Sequence, residues 1–177
     1  MLGQRRRGRL QAVLAGGQPR VQRALLHALD YLRQTEPADP ELVIFLQATS
    51  PLRRPEDVRN AVRTLREEGG DSLFSASPLQ GFLWRVENGC PRPLNYDYRA
   101  RPMRQDAADD VVENGSIYVF KPWVLRQYGN RLGGKICVYR MSGHHYFQID
   151  EPHDFEILEA LMRGRAESPA RLAPLNA

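Results

Sequence analysis

The run LVIFLQA, residues 42–48, holds apolar side chains on consecutive positions without alternation. Such a run is too short for a buried helix of ordinary length. It fits a strand covered on both faces, a pattern usual in parallel sheets. It ends abruptly in Gln47, Thr49 and Ser50, then turns on Pro51 into a helix start at Pro55, Glu56 and Asp57. Pro55 suits an early helical position, and the two acids suit the positive end of the helix dipole. A glutamine amide and two hydroxyls at the mouth of a buried strand cost free energy unless the protein or a ligand bonds them.

The rest of the chain repeats this strand–helix rhythm. Residues 21–34 carry Val21, Leu25, Leu29 and Leu32 on one helical stripe, with Leu26 beside it. After the helix at 54–70, DSLFSASP (71–78) reads as a strand. Residues 81–98 read as a hairpin around Asn88-Gly89, a strong turn pair. Strands are expected at 113–121, 135–141 and 146–150, a short helix within 122–134, and a closing helix from 151. Alternation of this kind predicts an α/β layered domain with helices packed on a mainly parallel sheet. The organisation expected is an irregular basic lead-in over 1–20, one α/β domain over 21–163, and a disordered tail over 164–177.

The 177 residues suffice for one such domain. The net charge is +4, and Arg5, Arg6, Arg7 and Arg9 account for the excess. The remainder is near neutral, and no stacking face accompanies the basic run, so a nucleic-acid binder is the weakest reading. Two cysteines without metal-like spacing indicate no disulfide framework and point to the cytoplasm. No apolar run approaches membrane-spanning length.

Three polar clusters fall at expected strand ends, where open α/β sheets place ligands. In the first, Gln47, Thr49 and Ser50, the hydroxyls alone would serve as helix caps. In the second, Arg101 and Arg104 precede Asn114-Gly115; arginine grips carboxylate or phosphate with paired bonds, yet Asp106, Asp109 and Asp110 also make this a balanced solvated loop. In the third, Asp150 ends a strand just before a helix. Its carboxylate suits Mg²⁺, which takes few protein oxygens, and suits a helix cap equally; Asp154 reads as structural. His144-His145 reads as a surface turn, since neighbours on an extended chain face opposite ways.

Taken in order, LLHALDYL, FLQATSPLR, RPMRQD, ENGSIYVFKP and FQIDEPHD resemble the acylneuraminate cytidylyltransferases, the CMP-sialic acid synthetase family, over roughly residues 24–163. The resemblance implies a Rossmann-like, mainly parallel nucleotidyltransferase sheet with helices on both faces and a protruding dimerisation hairpin at 81–98. It implies transfer of CMP from CTP to an acidic nine-carbon (nonulosonic) sugar in the cytoplasm, with release of pyrophosphate, for a bacterial surface polysaccharide. It places Gln47 and Arg104 beside the sugar, Asn114 and Tyr118 in the site lining, and Mg²⁺ on Asp150. Gln148 stands where the family has a first metal-binding aspartate and is the second residue expected at the metal, its amide oxygen a ligand directly or through water. It also implies that the family's first strands and phosphate-cradling loop are absent from this chain, residues 1–20 coming from a displaced start or a shifted frame. An open sheet edge, marginal stability or association would follow. A non-catalytic sugar-binding or dimerising remnant is the alternative.

Overall fold

A computed structural model describes residues 20–79, 81–106 and 109–167. The expected lead-in falls on residues outside these but for Arg20, and most of the expected tail does too. The elements run α1 (Arg20–Thr35), β1 (Val43–Leu46), α2 (Pro55–Glu67), β2 (Ser72–Pro78), β3 (Trp84–Glu87), β4 (Cys90–Pro93), β5 (Val111–Phe120), α3 (Pro122–Tyr128), β6 (Ile136–Arg140) and α4 (Asp154–Glu167). Four strands form a sheet in the order β1-β5-β2-β6, and β3 pairs with β4 separately. With helices between the strands, the class is α/β, as the alternation predicts.

The strand expectations need two corrections. First, β1 pairs antiparallel with β5, Val43 opposite Phe120 and Leu46 opposite Ile117. It is an edge strand whose burial alternates: Ile44 and Leu46 remain 43% and 39% exposed. The strand buried on both faces is β5, where every residue from Asn114 to Phe120 is buried. Second, residues 147–150 form no strand. A 3-10 turn, Gly143–Tyr146, precedes them, and a backbone bond, Ile149 N–H to Thr49 O at 2.9 Å, ties them to the loop after β1.

Within the α/β span the chain divides into two compact units. Unit 1 takes in residues up to Leu46, Pro55–Phe74 and Ile117–Tyr139; unit 2 takes in Gln47–Arg54, Ser75–Ser116 and residues from Arg140 on. In unit 1, Leu29 of α1, Leu125 of α3 and Tyr118 and Phe120 of β5 form an apolar core, with Leu25, Leu26, Val43, Phe45 and Phe74 against it. Of the α1 stripe read from the sequence, Leu25, Leu29 and the adjacent Leu26 pack there. Gly129, in the left-handed region at φ 60°, ends α3 by returning its N–H to Leu125 O.

In unit 2 the β3–β4 hairpin closes on Asn88 and Gly89, both at positive φ as a primed turn demands. Its residues Trp84 and Val86 are exposed, and Trp84 stacks against Tyr96 and Tyr98.

Candidate functional site

The site residues of unit 2 gather around Gly115 of β5. Gly115 sits mid-strand at φ +66°, a conformation that costs an L side chain strain. Beneath it, the Asn114 side chain is 0% exposed. Its Nδ2 donates to Ser77 Oγ at 3.1 Å and to Met141 Sδ at 3.5 Å. Its Oδ1 accepts from Ser75 Oγ at 2.6 Å and from Ser116 N–H at 3.2 Å. Every hydrogen-bonding position of the amide is thus used inside the protein.

The loop after β1 is held from below by Arg53. Its Nη1 donates to the carbonyls of Gln47 at 2.7 Å, Ser50 at 2.9 Å and Ser116 at 3.3 Å. Burial, which disfavours the charged form, pulls the guanidinium pKa down from its ordinary value. Leu52, fully buried, anchors the same turn. Sequence reasoning did not single out Arg53; its only signal is its place directly after the Thr-Ser-Pro-Leu turn.

Over Gly115 two glutamines meet. Gln47 Oε1 and Gln148 Oε1 lie 2.5 and 2.7 Å from the point a Cβ at position 115 would occupy. The Ile149–Thr49 backbone bond fixes the stretch that carries Gln148 beside the loop that carries Gln47. No larger residue at 115 leaves room for both amides.

Asp150 follows on the same stretch, with its carboxylate exposed. The expected cap is corrected here: Asp154, the first residue of α4, and not Asp150, supplies the acceptor, and it reaches back to the backbone just ahead of the helix. Its Oδ2 takes the N–H of Asp150 at 2.9 Å and of Glu151 at 2.7 Å. Those two backbone bonds hold the Asp154 carboxyl below the usual carboxylate range. Asp150 is thereby left for another role. Among the described residues, no three His, Cys, Asp or Glu side chains gather as a metal site.

The other expected site residues lie elsewhere or deeper. Tyr118 is 3% exposed in the core of unit 1, its ring 6.1 Å from Phe45 and 4.0 Å beneath the Arg131 guanidinium. Asn114 supports the site from below, as described. Arg104 begins the 3-10 turn Arg104–Asp106, and its side chain lies outside the described residues. His144 and His145 do not face opposite ways: the 3-10 turn stacks their rings 4.5 Å apart, and His145 is buried with Nδ1 2.8 Å from Ser142 Oγ.

No family model matches the chain. It is 32% identical over 147 residues to N-acylneuraminate cytidylyltransferase A of Danio rerio, and 30% identical over 147 residues to N-acylneuraminate cytidylyltransferase of Oncorhynchus mykiss. Each match takes in 80% of this chain and 34% of the relative. It is 26% identical over 163 residues to post-translational flagellin modification protein B of Campylobacter coli, covering 90% of this chain and 67% of that one. The chain therefore spans about a third of the length of the two fish proteins. Among solved structures, 4-diphosphocytidyl-2C-methyl-D-erythritol synthase matches with a TM-score of 0.50 and 17% identity over 83% of this chain and 69% of that chain, a likeness of fold. Across four fifths of its length, then, the chain is similar in sequence to N-acylneuraminate cytidylyltransferases.

Proposed function

We propose that the chain belongs to a cytidylyltransferase of the N-acylneuraminate type, transferring CMP from CTP to an acidic nine-carbon sugar. The anomeric oxygen of the sugar attacks the α-phosphorus. The bond from that phosphorus to the β-phosphate oxygen breaks, pyrophosphate leaves, and the hydroxyl proton passes to solvent. The observation that carries this reading is the placement of Gln47. Its amide oxygen rests over Gly115, on a loop whose Gln47 carbonyl Arg53 braces. An acidic sugar needs amide and cationic donors at such a point, and Arg104 is the second donor in this reading.

A triphosphate calls for Mg²⁺, which usually takes one or two carboxylates and completes its shell with water and phosphate oxygens. Asp150, exposed and released from capping, fits that requirement as a single hard ligand; Gln148 stands two residues before it. Bound there, the ion would neutralise charge on the triphosphate. The part of the chain's own residues is to hold and orient the sugar. The exposed apolar side chains of the hairpin, Trp84, Val86, Leu94 and Tyr98, support pairing of two copies through residues 81–98. Among the described residues no helix is long and apolar enough to cross a membrane, and the cytoplasm, where CTP is made, is the proposed location. The relative named for flagellin modification favours a bacterial surface glycan as destination.

The test is direct. The chain is mixed with CTP, Mg²⁺ and N-acetylneuraminate, and pyrophosphate is measured. Release that is lost in Asp150→Ala is expected. Sugar binding without release would leave a non-catalytic module, and neither binding nor release would end the reading.

A further inference from the structure

Two half-buried carboxamides converge on one glycine, and that convergence asks for a ligand. The oxygens of Gln47 and Gln148 both rest against the Gly115 backbone, within 2.7 Å of a single point, and the Gln148 carboxamide carbon lies 3.2 Å from that point. Turned this way, each oxygen meets the glycine Cα–H, a weak donor. The two NH₂ groups are the ends left over. Among the described residues neither amide has a hydrogen-bonding partner in the protein. Neither amide is among the described buried groups without a partner, so both NH₂ ends reach solvent and are open to the oxygens of a ligand.

We propose that Gln148 contacts the substrate and sets specificity with Gln47, as a paired-amide clamp whose neutral N–H donors take the two oxygens of a ligand carboxylate. The clamp deepens the acidic-sugar reading above and rests on it for the identity of the ligand. It assigns Gln148 to the sugar and leaves Asp150 as the carboxylate for the cation. The frame is built for the purpose. The Ile149 N–H to Thr49 O bond lies beside both glutamines in sequence, so one tie sets the spacing of the pair. Gly115, without a Cβ, lets both amide oxygens approach the strand, and the buried Asn114 next to it bonds Ser75 and Ser77. Neutral donors also distinguish an anionic carboxylate from its ester, which keeps the shape and loses the charge-assisted bonds.

The experiment titrates the ¹⁵N-labelled chain with N-acetylneuraminate and, separately, with its methyl ester, following the glutamine NH₂ signals. The acid is expected to shift the Gln47 and Gln148 signals together and to bind about tenfold tighter than the ester. Gln47→Ala and Gln148→Ala should each weaken the acid about tenfold, and the double variant should weaken it by less than the product, since the two act on one group. Gln148→Glu keeps the size and adds a like charge, so it should abolish acid binding while circular dichroism shows an intact fold. In the full reaction with CTP, the Mg²⁺ concentration for half-saturation should be the same in Gln148→Ala as in the wild type. If only the Gln47 signal moves, or if Gln148→Glu keeps the sugar and lowers the Mg²⁺ requirement, the clamp is overturned and the acidic-sugar reading survives. A wild-type chain that binds neither compound overturns both.

Discussion

The two units bury opposite kinds of side chain. Unit 1 is filled by Leu29, Leu65, Leu73, Ile117, Val119, Phe120 and Leu125, and among its described residues the one fully buried polar side chain is Ser72. Unit 2 buries Ser50, Ser75, Ser77, Asn114, Ser116 and His145 beside only a few apolar residues such as Leu52, Met141 and Leu158. An apolar core stabilises in proportion to the surface it hides and tolerates exchange of shape. A polar web contributes little net stability, yet it fixes geometry, because each donor has one acceptor in one direction. The candidate site lies in the unit with the polar web. Ser75, Ser77 and Asn114 bond one another beside Gly115, against which the two glutamines rest.

This contrast is broken or sharpened first by deleting volume from unit 1. Phe120→Ala should cost about 3–5 kcal/mol of stability, read as a fall in the urea midpoint at unchanged slope. In unit 2, Asn114→Leu keeps the volume and removes the partners. It removes the acceptor of the Ser75 Oγ and Ser116 N–H bonds and the amide donor to Ser77 Oγ, which keeps its bond to Ser142 O; at about 1–3 kcal/mol for a lost buried partner this should cost about 2–3 kcal/mol in a coupled web. A neutral or stabilising Asn114→Leu would mean that unit 2 is an ordinary core and that its polarity sets no geometry.

How far the sequence could show this varies with the range of the interactions. Local signals read true. The apolar stripe of residues 21–34 became α1, Asn88-Gly89 became a turn at positive φ, and Gln47 stands at a strand end as its polarity implied. The direction in which Asn114 and Tyr118 point was not legible. Counting by twos along a strand separates a covered face from an open one, and from Asn114 to Phe120 β5 has no open face, so alternation could not tell a lining residue from a core residue. The apolar run of β1 suggested two covered faces because composition reports hydrophobicity, not which neighbour supplies the cover. The meeting of Gln47 and Gln148 depends on one backbone bond between residues far apart in sequence, Thr49 and Ile149, and no local pattern encodes it.

Arg53 gives a smaller and more specific test. Its Nη1 is the bolt through Gln47, Ser50 and Ser116. Arg53→Met keeps most of the stem and loses those bonds, and should cost about 1.5–3 kcal/mol, the range for bonds to a charged group. Amide hydrogen exchange should rise in residues 47–54 and near Ser116 while α1 and α3 stay protected. Exchange that rises evenly through both units would show that Arg53 contributes general stability and no local hold on the loop.

The smallest effect belongs to Asp154, and its sign follows from its partners. Two backbone N–H groups favour the charged carboxylate, so its folded pKa lies below the value near 3.8 of an unconstrained aspartate. A carboxyl lowered on folding contributes fully above its unfolded pKa, and the contribution fades as pH falls through the lower folded one. The first turn of α4 should therefore begin to fray below about pH 4, with a partial loss of helical circular dichroism, and an Asp154→Asn variant should lack that acid-dependent step because an amide does not titrate there. At neutral pH the variant should lie slightly below the wild type, retaining an acceptor oxygen but not the charge. The two curves should then meet in acid, where the wild-type carboxyl is protonated. Curves that run parallel across the whole range would mean that Asp154 holds the turn through shape alone, and that the release of Asp150 for the cation needs another cause.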